Sequence, residues 1–146
     1  MSTTQQSELL SKFIEAKAKG NNRLALEIID GLLKLHPKTA EYHFEKGKLL
    51  QDNIKRPKAA LESFKQAVKY RAGEEFYHVR LAACYHLLGK RNDALEALDA
   101  ALKVNGKYLG ALASKAVLLR VQGDYEEALC LANKCYEIDP DFICAI

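Results

Sequence analysis

His43 and His78 stand 35 residues apart at matching places in the chain, and Cys84 follows His78 by six. Imidazole and thiolate are the side chains that hold zinc or act as nucleophiles and redox groups. Their neighbourhood supplies none of the usual company for that chemistry. There is no H-E-x-x-H and no paired-cysteine spacing, no glycine-rich phosphate loop and no G-x-S-x-G elbow. Cys130 and Cys135 are five apart and point to different sides of one helix, and Cys144 stands alone. Free cysteine packs as a small hydrophobe. The expectation is therefore reduced thiols and packed or half-exposed histidines that stack in neighbouring helices. No catalytic residue, metal or cofactor is expected, and the chain reads as a non-enzyme.

Charge is the second chemical resource. Three groups of cations recur at turns: Lys17, Lys19 and Arg23; Lys55, Arg56 and Lys58; Lys90 and Arg91. A fourth turn reverses sign with Asp124, Glu126 and Glu127. Such an edge could meet an acidic protein, a nucleic acid or an anionic membrane. A net charge of +3 with 28% charged residues argues against a dedicated nucleic-acid binder. A solvated edge is the simpler reading. No apolar run reaches the roughly 18 residues of a membrane span, and the polar start Met1 to Gln6 does not resemble a secretory signal. The expected setting is cytoplasmic.

The elements that must position these groups follow from a repeat. Ala60, Ala94 and Ala128 fall 34 residues apart, and Ala25 precedes Ala60 by 35. Each opens an apolar stripe at offsets 0, 1, 4, 7 and 8, such as Ala94, Leu95, Leu98, Ala101 and Leu102. That is one face of a helix. All twenty such positions are apolar, which chance at this composition yields about once in a million. A preceding helix ends at Gly20, Gly89 and Gly123, each five residues before the repeat alanine. The second helix closes near Pro37 and Pro140, which cannot continue it. The extra residue of the second unit is expected in the turn 51–58, where the glycine is missing and Pro57 appears. The units run about 6–39, 40–74, 75–108 and 109–142, with 143–146 where a fifth would start.

Gly123-Asp124-Tyr125-Glu126-Glu127-Ala128, followed by Asp139-Pro140, resembles the tetratricopeptide repeat, a helix–turn–helix of 34 residues. The resemblance covers residues 6–142 and implies an all-α fold, a right-handed α-solenoid built by stacking such hairpins. The first helices match less well. The family's usual leucine at the seventh place survives only as Leu81, with Lys12, Lys46 and Lys115 elsewhere. The small residue at the eighth place persists as Gly47, Ala82 and Ala116 but becomes Phe13 in the first unit.

The family uses its first helices to line a concave groove that holds a protein segment. Carried over residue by residue, the groove positions are Leu10, Ile14 and Lys17; Phe44, Lys48 and Gln51; Phe76, Arg80, Ala83 and His86; and Ser114, Val117 and Arg120. Apolar bodies beside Lys48, Arg80 and Arg120 suit an extended or helical segment with some acidic residues. One subgroup grips acidic chaperone tails with a lysine–asparagine–asparagine–lysine–arginine clamp. The matching residues here are Leu10, Ile14, Glu45, Phe76 and Arg80, and only Arg80 agrees. The resemblance implies a scaffold or adaptor with a protein or peptide partner. The alternative is the N-terminal interaction domain of a larger enzyme, such as a bacterial glycosyl- or sulfotransferase. The apolar residues 142–146 suggest an array cut short, and an uncapped last helix could pair two copies.

Overall fold

The computed structural model describes residues 2–142. They form eight α-helices and one π-helical turn, with no strand among the described residues. The helices are α1 (Thr3–Ala18), α2 (Asn22–Leu35), α3 (Ala40–Lys48), α4 (Pro57–Tyr70), α5 (Glu75–Leu87), α6 (Arg91–Val104), α7 (Leu109–Gln122) and α8 (Tyr125–Ile138). They gather into two compact units, Met1–Arg71 and Ala72–Ile146. In each unit, first and second helices pack as antiparallel pairs: α1 with α2, α3 with α4, α5 with α6 and α7 with α8. Residues 143–146, read as the start of a fifth repeat, lie outside the described residues.

The chain enters α1 earlier than its polar start suggests. Ser2 accepts from the Gln5 amide while the Gln5 side chain accepts from the Ser2 amide, a reciprocal cap that starts the helix at Thr3. The repeat alanines Ala25, Ala60, Ala94 and Ala128 are all buried on the second helices. Between α3 and α4 the interior is fitted by an exchange of size. Gly47 of α3 faces Phe64 of α4, and a Cβ at Gly47 would lie 2.6 Å from the ring. The same two places hold Ala82 and Leu98 in α5 and α6, and Phe13 and Ile29 in α1 and α2, all of them buried. The first unit's Phe13 sits in a core with Ala16, Ala25, Ile29, Leu32, Tyr42 and Leu49.

The lysines at the seventh place of the first helices have a definite task. Lys46 of α3 reaches Asp30 of α2 at 2.7 Å, and Lys115 of α7 reaches Asp99 of α6 at 2.7 Å. Both side chains are more than two-thirds covered. Each lysine thus lays its stem along the seam between successive repeats and ends on the preceding repeat's aspartate. Lys12 of α1 occupies the same place and is exposed.

The added residue of the second repeat is absorbed in a π-helical turn, Leu49–Asn53, that continues α3. The other three first helices close with an amide bonding a carbonyl five residues back: Asn21 to Ala16, Lys90 to Tyr85 and Asp124 to Leu119. At the second repeat the span is six, from the Arg56 amide to the Leu50 carbonyl at 2.8 Å. Gly20, Gly89 and Gly123 take the left-handed conformation at the stop. Lys55 takes it in the second repeat, with φ of 63°. Pro57 then occupies the first turn of α4, where its missing N–H has no helical partner to lose.

Candidate functional site

The first helices each turn one face away from their partner second helix, and that face is the candidate site. In unit 1 it is carried by α1 and α3. Glu45 there joins two lysines, Lys17 at 3.4 Å and Lys48 at 2.7 Å. Lys17 lies 5.7 Å from the centre of the Phe13 ring and Lys48 lies 5.1 Å from that of Phe44. Leu10 and Gln51 are half-buried, and Ile14 is exposed. Phe44 departs from expectation: it is only 8% exposed. The side-chain-free Gly47 lets Phe64 close on α3, and the Phe44 ring packs on Phe64 with centroids 5.7 Å apart. Phe44 belongs to the interior and supports Lys48 from below.

In unit 2 the face is carried by α5 and α7, which pack directly on one another. Phe76 stands at the start of α5, exposed and edge-on to Tyr77 at 4.8 Å. Arg80 and Ala83 are half-buried and His86 is exposed. On α7, Ser114 and Val117 are half-buried and Arg120 is exposed. The spacing of 76, 83 and 86 on one helix and of 114, 117 and 120 on the next keeps each set on its own outward side. Two residues that sequence reasoning passed over join them. Leu87 is 61% exposed and Val121 is 54% exposed, at the same place in α5 and α7. The available signal was a pair of large apolar residues, 34 apart, just before turns where polar residues are usual.

The histidines do not stack on one another as expected. His43 Nε2 donates to the Pro37 carbonyl at 2.7 Å, and its ring stacks on Tyr70 at 5.5 Å. His78 Nε2 donates to the Ala72 carbonyl at 2.7 Å. Both bonds reach back six residues to the turn that enters the helix, so the two histidines staple equivalent turns. Cys84 and Cys135 are buried and Cys130 is exposed. Burial pushes the Cys84 thiol above its ordinary value, and the charge of Arg80 pulls it partly back. Cys144 lies outside the described residues. Among the described residues no group of three or more histidine, cysteine or acidic side chains could hold a metal ion.

The first basic turn is internally matched. Lys17 holds Glu45, Lys19 holds Glu15 at 2.6 Å and Arg23 holds Glu27 at 3.3 Å. The Lys19 bond and its charge draw the Glu15 carboxyl below its usual range. Among the described residues no helix is long and apolar enough to cross a membrane.

Comparison with known proteins places this architecture. Residues 10–75 and 88–141 match the sequence profile described as "Tetratricopeptide repeat". Outer dynein arm-docking complex subunit 4 of Xenopus laevis is 31% identical over 85 residues, which are 58% of this chain and 16% of that protein. The chain thus matches about a sixth of the length of that curated relative. A tetratricopeptide repeat protein from Parabacteroides merdae superimposes with a TM-score of 0.87 at 21% identity, covering 95% of this chain and 55% of that one. YrrB, described as a tetratricopeptide repeat protein with an unusual peptide-binding site, gives a TM-score of 0.81 at 19% identity, covering 94% and 70%. At these identities the structures speak for the fold alone, an α-solenoid of helical hairpins. With the profile matched over most of its length, the chain belongs to the tetratricopeptide repeat family.

Proposed function

We propose that this protein is a non-catalytic adaptor that binds a peptide segment of a partner protein on the outward face of its first helices. The observation that carries this reading is the surface of α5 and α7. Exposed Leu87 and Val121 lie there on the same helices as the cations Arg80 and Arg120, with low-profile Ala83, Ser114 and Val117 behind them. Large apolar side chains left in water beside cationic groups favour a segment that alternates apolar and acidic residues. The cations fix orientation and on-rate, while the apolar contacts supply most of the affinity. In unit 1 the Lys17–Glu45–Lys48 group offers a second cationic patch, half-neutralised by its own glutamate. The description of YrrB as peptide-binding agrees with this reading.

The test is selection of a displayed random-peptide library on the full chain, followed by NMR titration of the winning peptide. The expected consensus carries acidic and bulky apolar residues, with amide shifts concentrated on α5 and α7. Arg80→Glu/Arg120→Glu should abolish that binding while leaving the helical circular dichroism unchanged. Peptides that bind with shifts confined to the second helices, or that ignore the charge reversal, would overturn the assignment.

A further inference from the structure

Given that the outward faces of the first helices bind peptide, we infer that Glu45 sets the specificity of unit 1. It stands between Lys17 and Lys48 as a built-in ligand, so the face of α1 and α3 takes uncharged residues of a partner segment rather than acidic ones. The repeat shows what this residue replaces. Along the first helices Glu45 corresponds to Ser11, Arg80 and Ser114, at spacings of 34, 35 and 34 residues. Unit 2 thus has a guanidinium where unit 1 has a carboxylate. Six residues on, Gln51 stands where α5 and α7 carry His86 and Arg120, and its Oε1 is covered without a hydrogen-bond partner. At both places α3 offers an acceptor where unit 2 offers an arginine.

The geometry makes Glu45 a ligand rather than a neighbour. Its two oxygens are divided between the lysines, Oε2 with Lys17 of α1 at 3.4 Å and Oε1 with Lys48 at 2.7 Å. The side chains of Lys17, Glu45 and Lys48 are only 31%, 31% and 29% exposed, so these pairs are less screened than the open pairs of Lys19 and Arg23. Each ammonium is also held by a ring, 5.7 Å from the centre of Phe13 for Lys17 and 5.1 Å from that of Phe44 for Lys48. Both rings are buried and therefore fixed. Without the carboxylate, two cations would still sit over aromatic rings on either side of the place it fills.

A partner's carboxylate arriving here meets a net charge of one, from two lysines less one glutamate, and finds a donor of each lysine already engaged. It must also shed water beside a like charge. An uncharged side chain or backbone amide avoids that repulsion. It also finds apolar surface on the same side of α1, where Leu10 is half-buried and Ile14 is exposed.

NMR titration of the full chain with two capped peptides tests this, one alternating leucine and glutamate, the other with glutamine in place of glutamate. On the wild type, amides of α1 and α3 should respond no more strongly to the acidic peptide than to the uncharged one. Glu45→Gln keeps the shape of the side chain and leaves both lysines over their rings. It should tighten the acidic peptide at α1 and α3 roughly 10-fold, the scale on which two partly covered ion pairs compete. That gain should fade between about 20 mM and about 500 mM salt, and the uncharged peptide should bind as before. Glu45→Ser, which installs the residue found at positions 11 and 114, should give the same gain. Glu45→Gln/Lys17→Gln/Lys48→Gln should lose it, with the helical circular dichroism unchanged throughout.

A wild type that already prefers the acidic peptide at α1 and α3 overturns the assignment. So does a Glu45→Gln variant that gains nothing, or a gain that survives removal of both lysines. Shifts on α5 and α7 judge the peptide-binding face of unit 2 separately. Their absence, with the gain on α1 and α3 intact, would overturn that face and leave Glu45 in its role.

Discussion

Replacing Gly47 with alanine asks how closely α3 and α4 are fitted. An added Cβ would lie 2.6, 2.7 and 2.9 Å from three atoms of the Phe64 ring. Ordinary carbon contact begins near 3.5 Å, so the ring must retreat by almost 1 Å. Phe64 is wholly buried and also meets Phe44, so it has nowhere free to go. Overpacking of this kind costs about 2–3 kcal/mol, while alanine in a helix interior returns about 1 kcal/mol over glycine. Gly47→Ala should therefore destabilise by about 1–2 kcal/mol. Phe64→Leu alone leaves a void beside the glycine and should cost about 1–3 kcal/mol. The double variant rebuilds the Ala82–Leu98 pair that the chain already uses between α5 and α6. It should be no less stable than Phe64→Leu, giving a coupling of about 2 kcal/mol between the two sites. Urea unfolding followed by circular dichroism reads all four corners of the cycle. A neutral Gly47→Ala, or additive changes within about 0.5 kcal/mol, would refute the reasoning that size exchange fits these helices together.

Four further outcomes follow from other parts of the molecule. Lys55→Gly should stabilise by about 0.5–1 kcal/mol, because the left-handed backbone at this residue strains any side chain, whereas Lys55→Ala should gain nothing; an equal gain from both would point to charge instead. Lys115→Met should keep the apolar stem and change stability by less than about 1 kcal/mol, while Lys115→Ala should lose more through lost packing, and equal losses would show that only the ion pair matters. Cys130 should react with iodoacetamide at neutral pH well before Cys84 and Cys135, as peptide mass spectrometry would record. The raised Cys84 thiol carries a matching pH dependence. Its contribution to stability is whole below the ordinary thiol value of 9.0 and is lost as the pH climbs through the folded value, a decline that Cys84→Ala should remove.

The second helices were legible in the sequence because each buries a single stripe, and a single stripe leaves a clean period. The first helices were harder to read. They touch their own partner and the preceding repeat, so small, aromatic and lysine side chains share the buried surface and blur the period. Lys46 and Lys115 read as departures from the family's usual leucine, yet an aspartate sixteen residues earlier completes each of them. Phe44 read as a groove residue because its place in the repeat is outward; the glycine three residues later drew it in. Lys55 gave no signal at all, since a left-handed turn is ordinarily announced by glycine or asparagine. Leu87 and Val121 went unnoticed for the opposite reason, as apolar residues beside a turn suggest burial.

The π-helical turn after α3 has a consequence for how such a chain changes length. One residue added inside an α-helix swings everything beyond it by about 100°, enough to carry a buried stripe into water. Here the wider ring takes up the added residue before α4 begins, and Ala60 and Phe64 still arrive at the seam. The turn behaves like an expansion joint between two rigid spans. It lets a genome lengthen one copy of a duplicated unit without having to rewrite the copies on either side.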